Sequence, residues 1–319
     1  MSYLGAKFIF VLVPPIFGSP QANLPQSQEL LAQYEQVKKS IALVESGGRR
    51  HGVAIVVDAR GYLLAGETAD ANVAIQFADG IRTSASVLAR DDVTRLVLLV
   101  VPEETVVGRA PISISSLLST GTVMAVTPDG PIRGLQMPGR RVGIAGESRY
   151  VPLTEYRFET TPAAHGYLPI FNPGGELIGL FGAAYEAQGA PGSARSAVFG
   201  PVGQSVGYSI SPRTLKRVLD GFLSESHEVQ HPTIGAFFRN SLENDGALII
   251  RVEPGSPAAL GGLQSGMVVT AVNGQAVTNA VDFAAALFEA EIGEQIEVTV
   301  RDVGQRRVLR VTVGAGDSL

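Results

Sequence analysis

Residues 246–277 read GALIIRVEPGSPAALGGLQSGMVVTAVNGQAV. The run LIIRV reads as a strand closed by the turn pair Pro254-Gly255, and a short helix follows over PAAL. MVVTAV is a second strand, and Asn273-Gly274 is a hairpin turn pair that supplies the positive φ angles such turns need. Beyond it, residues 281–291 predict a helix with Phe283, Ala286, Leu287 and Ala290 on one face, from the three-and-four spacing of a buried stripe. IEVTVRD and VLRVTV alternate apolar and polar residues, which predicts a closing hairpin. The last ninety or so residues therefore form a unit of their own.

Upstream, the pattern changes. Residues 24–44 (LPQSQELLAQYEQVKKSIALV) carry Leu30, Leu31, Tyr34, Val37 and Ile41 at helical spacing. From Gly52 to Ile210 the chain breaks into short β runs, VAIVV, YLLA, NVAIQF, LVLLVV, TVMAV, RVGIA, LIGLFGAA and VGYSI, separated by Gly, Pro and Asp. Many short strands at close spacing predict a barrel or sandwich. Ser211-Pro212 opens a helix that continues through TLKRVLDGFL, serine capping it and proline occupying its first position. Residues 224–231 are polar and read as a linker.

Composition narrows the function classes. The 319 residues suffice for two domains with real cores, and 45% hydrophobic with 17% charged residues describes a globular chain. The net charge of −5 argues against nucleic acid as the main partner. The chain has no cysteine, which removes disulfides, thiol nucleophiles and thiolate metal sites together. At the N terminus, Lys7 precedes the apolar run FIFVLVPPIF (8–17) and then GSPQA, the pattern of a secretory signal; Pro14 and Pro15 interrupt the run. It is shorter than the roughly 20 residues a spanning helix needs. Export to the periplasm or cell envelope is the expectation.

The C-terminal unit resembles a PDZ domain of the kind attached to HtrA proteases. Pro254-Gly-Ser-Pro-Ala-Ala259, Gly261 to Leu263, Gly266, Val268 and Val272-Asn-Gly274 carry the match. Met267 stands where that family usually has aspartate. The preceding unit resembles the trypsin-like domain of the same family. GVAIVVDARGYLLAGETAD (52–70) is similar to the family's strands before the catalytic histidine, with Asp58, Gly61 and Tyr62 matching. ARDDVTRLVLLVV (89–101) is similar to the segment of the catalytic aspartate, with Asp91 matching, and PIFNPGGELIG (169–179) to the strands after the catalytic serine. The resemblance implies a mainly β protein: a trypsin-like double β-barrel followed by a PDZ domain, α+β with a partly open barrel. The expected organisation is a signal over 1–22, a helical segment over 23–51, the protease-like domain over 52–224, a linker over 225–231 and the PDZ domain over 232–315.

The same resemblance places the triad on Thr68, Arg95 and Gly166. Threonine is no general base near neutral pH, arginine repels an imidazolium, and glycine forms no acyl-enzyme. The expectation is therefore an inactive member of the family, with Tyr167 and Leu168 crowding the oxyanion pocket. It would act as an adaptor, chaperone-like or regulatory subunit in envelope protein quality control. The PDZ loop Ile234-Gly235-Ala236-Phe237 would bind peptide C-termini or extended segments through its N–H groups, with Phe283 and Leu287 either lining the pocket or belonging to the core. Family members form trimers, so a homo- or hetero-trimer with HtrA-like subunits is implied. The alternative is an active serine endopeptidase or hydrolase. Gly203-Gln-Ser205-Val-Gly207 has the pattern of a nucleophile elbow, followed by Asp220 and His227, but a strand rather than a helix is read after the serine. His165 reads as a turn residue. His227 and His231 lack a third ligand, so neither a metal nor a cofactor is expected.

Overall fold

The computed structural model describes residues 24–68, 70–115, 121–138, 141–145, 149–160, 167–182, 198–199, 205–243 and 245–316. The signal-like segment over 1–22, His165 and Gly166 lie outside them. Helix α1 (Leu24–Val37) leads into β1 (Ile41–Ser46). The first barrel continues with β2 (Arg49–Asp58), β3 (Tyr62–Gly66), β4 (Asn72–Phe77), β5 (Arg82–Asp91) and β6 (Leu96–Val100). Its strands run in the order β1-β4-β5-β6-β3-β2 and close through β1–β2. After α2 (Glu103–Val106), the second barrel contains β7 (Gly121–Thr127), β8 (Gly130–Gln136), β9 (Arg141–Ala145), β10 (Arg149–Phe158), β11 (Tyr167–Phe171), β12 (Leu177–Gly182), β13 (Val198–Phe199) and β14 (Ser205–Ile210). Here the order is β11-β12-β14-β10-β8-β7, closed through β11–β7, with β9 and β13 added at β10 and β14. Closure removes the exposed edges that an open sheet leaves.

The two-residue period of a strand decides which side chain enters which core. Ala54, Val56, Leu63, Ala65, Val97 and Leu99 fill the first barrel. Their neighbours Val53, Ile55, Leu64, Leu96 and Leu98 face outward and are buried with Leu168, Ile170 and Phe171 of the second barrel. This double burial is why LVLLVV is apolar on both faces. Helical spacing overran at the N terminus. The helix stops at Val37, and Ile41 to Ser46 is a strand that pairs with both β2 and β4. Ile41 and Val44 are buried as strand residues there, where β-branched side chains pack well.

Helix α3 (Pro212–Leu223) leads to the C-terminal domain: β15 (His231–Thr233), β16 (Ala236–Asn240), β17 (Ala247–Val252), α4 (Pro257–Leu260), β18 (Val268–Val272), β19 (Gln275–Ala276), α5 (Ala280–Glu289), β20 (Gln295–Asp302), β21 (Gln305–Thr312) and β22 (Gly314–Gly316). Its sheet runs β16-β17-β18-β20-β21, which leaves β16 at an edge. Met267 is buried in the core of this domain, which accommodates the departure noted at that position.

The segment read as a polar linker exposes Glu225, Ser226, Glu228 and Gln230 but is anchored at two residues. Val229 and His231 are buried, and His231 Nε2 lies 2.8 Å from Asp91 Oδ1, with both side chains sealed from solvent. The His231 ring stacks on Phe288 of α5 at 5.3 Å, and Phe288 belongs to the core of the barrels. Ser211 Oγ donates to Glu289 Oε1 at 2.6 Å, and Arg213 Nη1 donates to the Glu289 carbonyl at 2.9 Å. The Arg217 guanidinium lies over the Phe288 ring; burial pulls it down to about 10, against the raising charges of Glu289 and Asp91.

Burial pushes the Asp91 carboxyl up. Bonds from His231 and from Thr94 outweigh that, so it sits below its ordinary value. A depressed carboxylate stabilises the fold above its unfolded value of about 3.9 and loses that contribution as pH falls through the folded value. Replacing His231→Ala strands a buried carboxylate, so urea unfolding at pH 7 should show a loss of about 3 kcal/mol. At a pH low enough to protonate Asp91, the difference from wild type should shrink.

Candidate functional site

Two places carry the residues singled out above. The first is the junction of the barrels. At the end of β3, Gly66 pairs with Leu96, and Glu67 N–H donates to the Arg95 carbonyl at 2.8 Å. Thr68 and Arg95 therefore share one rim. Thr68 is buried and its Oγ1 donates to the Asp70 carbonyl at 3.0 Å, while Arg90 Nη1 donates to the Thr68 carbonyl at 2.9 Å. Arg95 has φ +56° and pairs with Glu67 at 2.9 Å. That hydrogen bond raises the guanidinium pKa further. Neither side chain is placed as a proton acceptor.

Tyr167 reaches the same junction from β11. A Cβ added at Gly66 would lie 1.7 Å from its Cδ2, and one added at Gly182 would lie 2.4 Å from its Cε1. The ring is a wedge between two glycines on β3 and β12, and the residue is buried. Any larger residue at either glycine collides with it. The sequence marked Tyr167 as crowding the pocket; the two glycines that admit it were not read.

The elbow-like alternative is not assembled. Ser205 opens β14, paired with Phe158 and Phe199, and the next helix begins only at Pro212. Asp220 is held by Lys216 at 2.6 Å. His227 Nδ1 lies 2.6 Å from the Phe222 carbonyl, so it and His231 have different partners.

The second place is the groove between β16 and α5. Gly235 takes φ +66°, and a Cβ there would lie 2.4 Å from Ser256 Cβ, so only glycine fits without strain. The Ile234 carbonyl accepts from Ala258 N–H at 2.8 Å and the Gly235 carbonyl from Glu253 N–H at 2.9 Å. Since C=O and the next N–H point oppositely in a peptide plane, the N–H groups of Gly235 and Ala236 turn away from the domain; that of Gly235 has a long 3.3 Å contact to Thr233 Oγ1. The Glu253–Gly235 bond also makes Ala236↔Val252 a non-hydrogen-bonded pair, and Ser241 N–H to the Gly246 carbonyl does the same for Asn240↔Ala247. Ala236, Phe238 and Asn240 thus aim their backbone groups at the open edge. Asn240 Oδ1 accepts from Ala280 N–H at 2.9 Å, which ties the far end of β16 to the start of α5.

Phe237 departs from the loop role read above, while Phe283 and Leu287 fall on the core side of the alternative left open there. Phe237 turns its backbone toward β17, and its half-exposed ring lies beneath Arg251, with the guanidinium carbon 3.9 Å from the ring centroid. Phe283 and Leu287 are core residues. Phe238 stands in front of Phe283 at 4.7 Å between ring centroids, and the sequence reading missed it because its strand position was not assigned to a face.

The family model for a PDZ domain matches residues 248–302. A probable periplasmic serine endoprotease, DegP-like, of Pseudomonas fluorescens is 28% identical over 167 residues, covering 52% of this chain and 34% of that protein. The chain thus spans about a third of the length of that relative. The serine protease PepD of Mycobacterium tuberculosis is 25% identical over 328 residues, covering 93% of this chain and 68% of PepD. Among solved structures, the HtrA-type protease AlgW with a tripeptide aligns over 90% of this chain and 97% of its own, with a TM-score of 0.61 and 18% identity. A serine endoprotease from Yersinia pestis aligns with a TM-score of 0.53 and 16% identity over 90% of this chain and 98% of its own.

Two closed barrels meeting at a seam, followed by an edge-stranded domain, define a trypsin-like protease fold with a C-terminal PDZ domain. The chain is HtrA/DegP-like. The wedge is open to test by a double-mutant cycle. Gly182→Ala should destabilise by about 2 kcal/mol, and in a Tyr167→Ala background its cost should fall below about 0.5 kcal/mol, read from denaturation midpoints.

Proposed function

We propose that this chain is a non-catalytic HtrA-like protein that captures peptide C-termini in its PDZ groove, as an adaptor or regulatory subunit of the cell envelope. The observation that carries the reading is the Tyr167 wedge between Gly66 and Gly182, beside Thr68 and Arg95. A substrate carbonyl has no room where the ring sits, and the two neighbouring side chains supply neither a base nor an anionic orienter. The signal-like N terminus and the DegP-like relatives, which are described as periplasmic, support export. Assembly with HtrA-like subunits follows from the same likeness.

The groove supports the binding half of the proposal. Two outward N–H groups at Gly235 and Ala236 form a cradle for a terminal carboxylate, and the open edge of β16 takes the peptide as an added strand. Affinity in this mode is expected near micromolar, about 8 kcal/mol.

Purified protein should neither cleave casein nor react with a fluorophosphonate. Combined Thr68→His, Arg95→Asp and Gly166→Ser should leave it inactive while Tyr167 remains. Labelling lost in Ser205→Ala would overturn the proposal in favour of a hydrolase. A peptide with a free C terminus should bind at least about tenfold more tightly than its amide, since the carboxylate makes charge-assisted bonds. Glu253 Oε2 is 3.3 Å from a Cβ placed at Gly235, so Glu253→Gln should tighten binding about twofold to fivefold by removing a like charge.

A further inference from the structure

The outer face of the groove strand carries a charge that no side chain among the described residues pairs with. Arg239 is exposed, and its side chain makes no hydrogen bond or ion pair among the described residues. Its position on β16 is fixed by the register. Phe237 and Arg239 project on the face opposite Ala236 and Phe238, which pack toward the core. On that outer face Arg251 covers Phe237 and lies 3.9 Å from Glu253, whereas Arg239 lies across from Leu248. The nearby acids Glu243 and Asp245 are engaged by Arg301.

An added strand whose carboxylate sits at the Gly235 and Ala236 N–H groups runs antiparallel to β16. Its last residue lies beside Ala236, its penultimate residue faces Phe237, and its fourth residue from the end faces Arg239. The backbone of Arg239 points inward to β17, so this last juxtaposition is a non-hydrogen-bonded pair, the kind in which opposed side chains come closest. We propose that the groove selects protein C-termini bearing aspartate or glutamate four residues from the end, with Arg239 as the specificity-determining residue. This rests on the reading of the groove as a peptide site and adds the chemistry of its partner.

The test uses the full chain and three pools of ten-residue peptides with free carboxylates, random except for Glu, Ala or Lys fixed fourth from the end. The Glu pool should bind about tenfold more tightly than the Lys pool, with Ala between, and the gap should narrow in high salt. Arg239→Glu, an exposed substitution that leaves the core untouched, should reverse the order. Pools that bind equally well to wild type, or an order unchanged in Arg239→Glu, would overturn the charge preference and leave the groove reading intact. If no free-carboxylate pool binds above its amidated counterpart, the groove reading fails, and this inference with it.

Discussion

A buried carboxylate and a buried imidazole, 2.8 Å apart, tie the PDZ domain to the barrels. Asp91 closes β5 and His231 opens β15, 140 residues later. Isolated, either group would be costly to bury; together, with Thr94 completing the carboxylate's bonds, they make a polar contact of defined geometry inside an apolar seam. Phe288 supplies the apolar part by entering the core of the barrels. These contacts, with the Ser211 and Arg213 bonds to Glu289, join the domain to the barrels at several points.

Helix α5 forms one wall of the groove and also packs against β10 and α3. One face of the helix holds Phe283 and Leu287 in the PDZ core, and another presents Phe288 and Glu289 to the barrels. The same helix thus packs on the PDZ core and, through Phe288, against His231 of the Asp91–His231 contact. At the junction of the barrels, the Tyr167 ring packs between Gly66 and Gly182.

Much of the fold was legible from periodicity. The barrel strands with alternating or doubly apolar patterns, the Ser211-Pro212 helix start and the Asn273-Gly274 hairpin all appear where the local chemistry put them. Helix α1 was overextended because IALV satisfies helical spacing and strand pairing equally, and only the pairing of β1 with β2 and β4 separates them. Strands β5 and β10 carried weak signals. The first alternates small polar residues on an exposed face, and the second holds Pro152 where its partner is the outer strand β9.

The sequence by itself determined the residue types available to the chemistry: threonine, arginine and glycine at the positions that the family resemblance assigns to a triad, no thiol, and a glycine in the loop before β16. These follow from covalent identity, which no folding alters. Tertiary structure decided what surrounds them. That Gly66 and Gly182 make room for Tyr167, that Phe238 rather than Phe237 faces the groove, and that His231 meets Asp91 are all contacts between residues distant in the chain. Such contacts depend on strand register and domain seating, and a one-residue shift in register would turn each of these side chains to the opposite face.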